Sequence, residues 1–99
     1  MGACNFDVVG HGKTAKTAFK KARAEALNAF GDRGYTGTIA EKDSFLEVKL
    51  SPEVIADKKL FWAKINELLD SDEFEDKWGP AGCVKIADGQ FFFFGWASE

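Results

Sequence analysis

The 99 residues contain one histidine, two cysteines and two prolines, and each scarcity removes a class of chemistry. His11 alone excludes a two-histidine metal centre, and Cys4, Cys83 and His11 are too few and too scattered for a zinc site of familiar spacing. Cys4 and Cys83 fall near the starts of two strand-like segments, which antiparallel neighbours would hold far apart. Reduced thiols are therefore expected rather than a disulfide framework. No apolar run reaches the roughly 18 residues of a membrane span, and no basic-then-apolar leader opens the chain. Met1-Gly2-Ala3-Cys4 carries Phe6 where an acylation signal has Ser or Thr. The expectation is one domain over residues 1–99, cytoplasmic, with no membrane association, no metal and no cofactor.

Charge is unevenly placed around a net −3. Between His11 and Arg33 six bases (Lys13, Lys16, Lys20, Lys21, Arg23, Arg33) face only Glu25 and Asp32. From Glu41 onward acids outnumber bases thirteen to seven, most densely at Asp70, Asp72, Glu73, Glu75 and Asp76. Such asymmetry either orients an encounter with a charged partner or marks two solvated helix faces.

Apolar patterning gives the element order. Asn5 to Val9 reads as a short strand ending at Gly10-His11-Gly12. Ala15, Ala18, Phe19, Ala22, Ala26, Ala29 and Phe30 recur at three- and four-residue steps, an amphipathic helix with a narrow alanine stripe that Gly31 stops. Tyr35–Ala40 and Phe45–Leu50 read as strands joined by a polar hairpin loop at 41–44. Ser51 caps a second helix with Pro52 at its first position. Val54, Ile55, Phe61, Trp62, Ile65, Leu68 and Leu69 share one arc of that helix, with Leu60 outside it as a second contact. Cys83–Ala87 and Phe91–Ala97 are strands around an Asp88-Gly89 turn. The fold class read from this is α+β: a ferredoxin-like βαββαβ unit with an added C-terminal strand, and two helices on one face of an antiparallel sheet.

On such a sheet the run Phe91-Phe92-Phe93-Phe94-Gly95-Trp96 poses a problem. Successive side chains point to opposite faces, so the strand is apolar on both. Two buried Phe side chains remove roughly 300–500 Å² from water, or about 7–12 kcal/mol. Helices on one face leave the other open, and self-association across it, or along an exposed strand edge, is the economical answer. Phe91, Phe93 and Trp96 are the expected interface anchors, with Leu60 and Phe74 as additions. The competing structural answer is that the Phe74–Trp78 segment folds over the rings within one chain.

Candidate catalytic patterns fail for want of partners. Gly10-His11-Gly12-Lys13-Thr14 resembles the end of a phosphate-binding loop, but Asp7 stands where that motif begins with glycine, and a carboxylate there repels phosphate. As a general base His11 has only Asp7 and Thr14 nearby. Cys83 follows Gly82 with nothing to lower its pKa, and the acidic cluster lacks the spacing of a calcium loop. A non-catalytic protein is expected. The element order also resembles an RNA-recognition domain, with Phe6 and Phe45 on comparable strands. The basic-glycine-aromatic octapeptide is absent and the overall acidity opposes counterion-driven binding, so nucleic acid is not the expected partner. Lys13, Lys16, Lys20 and Arg23 remain candidate anion or phosphate contacts.

The segments Gly34-Tyr35-Thr36-Gly37-Thr38-Ile39-Ala40, Lys77-Trp78-Gly79-Pro80-Ala81-Gly82 and Phe93-Phe94-Gly95-Trp96-Ala97 resemble small uncharacterised proteins encoded by tailed phages and prophages. That resemblance implies an accessory protein acting by binding, such as one that blocks a host defence or regulatory protein, with no catalytic residues to carry over. The sequence reading is thus a homodimeric, non-catalytic interaction protein that also binds another protein. Its alternatives are a small-molecule or nucleotide-ligand binder with an aromatic pocket, and an RNA-recognition-like binder using the first helix.

Overall fold

The aromatic run lies at the centre of a sheet, between two other strands. In the computed structural model, which describes residues 3–30, 39, 42, 44–71, 74 and 79–98, the elements are β1 (Ala3–His11), α1 (Ala15–Phe30), β2 (Phe45–Glu47), α2 (Pro52–Ala56), α3 (Lys58–Leu69), β3 (Ala81–Ala87) and β4 (Gln90–Ser98). β4 pairs antiparallel with both β1 and β3, and β2 runs parallel to β3, giving the order β1-β4-β3-β2. The class is α+β, with a ferredoxin-like succession of elements and the extra C-terminal strand inserted inside the sheet. Asp88-Gly89 makes the hairpin turn, and Gly89 takes the left-handed φ of 73° that such turns need.

Each helix follows from local chemistry. The Thr14 hydroxyl accepts the Thr17 N–H at 3.2 Å and starts α1. The alanine stripe then lets α1 lie so close on β1 that a Cβ added at Gly10 would stand 2.8 Å from the Ala18 carbonyl oxygen. Ser51 caps α2 through the Val54 N–H, with Pro52 opening the first turn. The single second helix expected from periodicity is in fact two. Asp57 is extended (φ −97°, ψ 111°), and its carboxylate accepts the N–H groups of Lys59 and Leu60 at 3.0 and 3.3 Å. An acid able to cap in mid-run ends one helix and starts the next.

The helices cover opposite faces, which corrects the expectation of one helical face and of a wholly antiparallel sheet. Cross-strand partners share a face. Val8, Cys83, Phe91 and Phe93 lie on one and Val9, Val84, Phe92 and Phe94 on the other. Ala15, Ala18, Phe19 and Ala22 of α1 join the first core, and Phe61, Ile65 and Leu69 of α3 join the second. Handedness accounts for this. The chain crosses the sheet from β1 to β2 through α1 and returns from β2 to the parallel β3 through α2 and α3. Right-handed crossovers travelling in opposite directions lay their helices on opposite faces.

Two further boundaries differ. The strand expected at 35–40 lies outside the described residues except for Ile39, which sits in a 3₁₀ turn whose carbonyl accepts the Lys42 N–H at 2.9 Å. The strand expected at 45–50 ends at Glu47. Lys42, 1% exposed, donates from Nζ to the Gly79 carbonyl at 2.8 Å, tying the approach to β2 to the approach to β3.

Candidate functional site

One width mismatch shapes the surface. A helix with its side chains is about 10–12 Å across while strands repeat every 4.8 Å or so, so one helix roofs little more than two strands. On the α1 face the uncovered strand is β2. Phe19 of α1 bridges the gap, its ring 5.0 Å from that of Phe45 and 5.6 Å from Phe93, with Phe45 and Phe93 5.9 Å apart. Phe45 stays half-buried. Beside this ring triad a cleft of about 480 Å³ opens, lined by Lys16, Phe19, Lys20, Arg23, Leu27 and Phe45 among others.

Helical spacing assembles the cleft wall. Lys16, Lys20, Arg23 and Leu27 recur at steps of four, three and four, which places them on one flank of α1 beside the buried stripe. The result is an aromatic floor with ammonium groups on its exposed rim. Chemically it can hold an apolar body against the rings while cations neutralise an attached anion. Of the four basic residues singled out in the sequence, Lys16, Lys20 and Arg23 meet here, whereas Lys13 is exposed ahead of α1 and is not among the lining residues. Phe19, Phe45 and Leu27 are lining residues that sequence reasoning left out of the site. Leu27 carried a signal, being an apolar side chain off the buried stripe, whereas the place of Phe45 on an edge strand of the described sheet is decided by the tertiary structure.

The expected interface anchors are placed differently. Phe91 and Phe93 are core residues under α1, with Phe93 0% exposed. Phe74 is buried with its ring 5.3 Å from that of Phe94, as the chain-folding alternative required of it; Trp78 lies outside the described residues. Trp96 is half-buried, and its Nε1–H donates to the Leu69 carbonyl at 2.8 Å, satisfying an end group of α3. Only Leu60 remains well exposed, at 51%, and it stands apart from the others. Phe91, Phe93 and Phe74 are thus corrected from interface anchors to interior, because the second helical layer supplies the cover that one layer could not.

Cys83 is buried on the α1 face. Burial, and then the charge of nearby Glu47, push its thiol pKa up from 9.0 to about 12, so it is a protonated packing residue at neutral pH. Among the described residues no group of three or more His, Cys, Asp or Glu is placed to hold a metal ion, and no helix is long and apolar enough to cross a membrane. Compared with protein-family models, curated proteins and solved structures, the chain matches none.

Proposed function

We propose that this protein is a small-molecule binding module whose site is the cleft between α1 and β2, and whose ligand joins a flat or aliphatic apolar body to an anionic group. The observation that carries this reading is the pairing of a Phe19–Phe45 floor, backed by the buried Phe93, with the Lys16 and Lys20 rim in one cleft of about 480 Å³. That volume lies within the roughly 300–1,000 Å³ of small-ligand sites, and the mixture of apolar lining with few polar groups is their usual make-up. A carboxylate or phosphate at the rim meets flexible lysines, and the rings below take the rest of the molecule. The cleft favours a small ligand over single-stranded RNA. An RNA-recognition sheet stacks bases on open aromatic strands, whereas Phe91–Phe94 are covered here by α1 on one face and α3 on the other.

Thermal-shift and calorimetric titration with decanoate, naphthoate and benzyl phosphate tests the reading, with decanol and inorganic phosphate as single-feature controls. The amphiphilic anions are expected to saturate one site by calorimetry and to raise Tm with the logarithm of their concentration, by about 2.7 kcal/mol of added stability at a hundredfold excess over Kd. The controls should do far less. Lys16→Ala with Lys20→Ala should remove the preference for anions without lowering Tm of the free protein. Absence of any shift, or equal shifts with decanol, would refute the assignment.

A further inference from the structure

We infer that the outer edge of β1 is a self-association surface, and that its partner is a second copy of this chain. The inference is independent of the cleft, which lies on the opposite flank of α1. β1 ends the sheet, and its nine residues pair with β4 in unbroken register. It carries no proline, and no described strand pairs along its other side. Protein edges are ordinarily blunted by shortness, bulges, proline or charged side chains, lysine above all; this one is nine residues long with no bulge, proline or lysine, and Asp7 is its one acidic residue.

The backbone groups that no described strand pairs with can be named. The Gly12 N–H donates to the Gly89 carbonyl at 3.1 Å, continuing the register in which Gly10 faces Phe91. Backbone groups alternate sides along a strand, so Phe6, Val8 and Gly10 turn theirs toward β4. Asn5, Asp7, Val9 and His11 turn theirs outward. The side chains of these four are exposed, because α3 does not reach over β1 on that face.

A two-fold axis normal to the sheet would pair this edge with its own copy, and partners must share a face, which fixes the register to a few choices. Centred on Asp7, the axis sets two carboxylates directly opposite each other, which is repulsive. Centred on Val8, it pairs Asp7 with the partner's Val9 and Asn5 with the partner's His11. Each is a pair of outward-facing residues able to exchange N–H···O=C bonds in both directions, and Phe6 then comes opposite the partner's Gly10.

The helices agree with the same axis. α1 lies over β1 with Ala18 against Gly10. Val8 is about 6.6 Å further back along the strand, or roughly four residues of helix rise, which sets Ala22 level with the axis. On the α1 flank turned away from the cleft, Lys21 and Glu25 are exposed and straddle that level. Two-fold symmetry therefore brings Lys21 toward the partner's Glu25 and Glu25 toward the partner's Lys21, a reciprocal match with one centre for strand and helix.

Analytical ultracentrifugation from micromolar to millimolar protein tests the inference. The wild type is expected to pass from single to double mass. Val9→Pro, which removes an outward N–H that no bond among the described residues uses, should abolish the dimer while far-UV circular dichroism stays unchanged. Lys21→Glu should raise the dimer Kd at least tenfold, and the exchange Lys21→Glu with Glu25→Lys should restore it. Asp7→Asn should tighten it, since the two Asp7 carboxylates remain diagonal neighbours. A protein monomeric at millimolar concentration would overturn the inference. So would a dimer that survives Val9→Pro, or a charge exchange that fails to rescue; that exchange leaves the strand untouched and decides the matter even if Val9→Pro does not fold.

Discussion

Phe93 has no exposed surface and its ring meets those of Phe19 and Phe45. Phe93→Ala should cost about 3–5 kcal/mol, read as a lowered urea midpoint with an unchanged m-value. A smaller loss would mean that α1 settles into the cavity. Gly82 is the reverse case, since a Cβ there would fall within the Phe94 ring. Gly82→Ala should destabilise by about 1–3 kcal/mol through overpacking, with the hairpin retained. Cys83 gives the pH test. Its folded pKa of about 12 lies above the ordinary 9.0, so the folded state holds a proton that the unfolded state releases. The stability this provides is fully present below pH 9 and is lost as pH rises toward 12. Denaturation midpoints should therefore fall over that interval, and fall less in Cys83→Ala.

Among the elements, α3 depends on its two ends. Asp57→Ala removes the acceptor for the Lys59 and Leu60 N–H groups and should cost about 0.5–2 kcal/mol. The remaining question is whether α2 and α3 then fuse, and helical circular dichroism would report the gain. Trp96→Phe keeps an aromatic ring but removes the donor that Trp96 gives the Leu69 carbonyl, at about 1–3 kcal/mol. Much of this level was legible in advance. The alanine spacing fixed α1, Ser51-Pro52 fixed the start of α2, and Asp88-Gly89 fixed the β3–β4 turn. The break at Asp57 was not, because a capping acid inside an apolar arc leaves the periodicity intact. The true extent of β2 was also hidden: Phe45–Leu50 alternates well enough for a strand, yet β3 offers pairing only over Phe45–Glu47.

For the whole molecule, β4 belongs to both cores, Phe91 and Phe93 to one and Phe92 and Phe94 to the other. Neither core can come apart without exposing a face of that strand. Amides of Phe92–Phe94 are therefore expected to exchange last, at the free energy of global unfolding, with those of α2 much faster. Slower exchange in α1 than in β4 would contradict this. The sequence alone determined that β4 is apolar front and back, that one helix is narrow and basic-flanked, and that both faces of the aromatic strand need cover. It marked Lys13, Lys16, Lys20 and Arg23 as candidate contacts by the excess of bases around the first helix, and Lys13 lies outside the cleft. Which layer supplies the cover was decided only in three dimensions. Side-chain alternation reports that a face is buried but not by what, whereas the reversal of crossover direction at β2 sends α3 to the face opposite α1. That placement turned Phe91 and Phe93 from surface anchors into core, and among the described residues it left β2 without a helix over one face, where Phe45 meets the basic flank of α1, and β1 without one over the other.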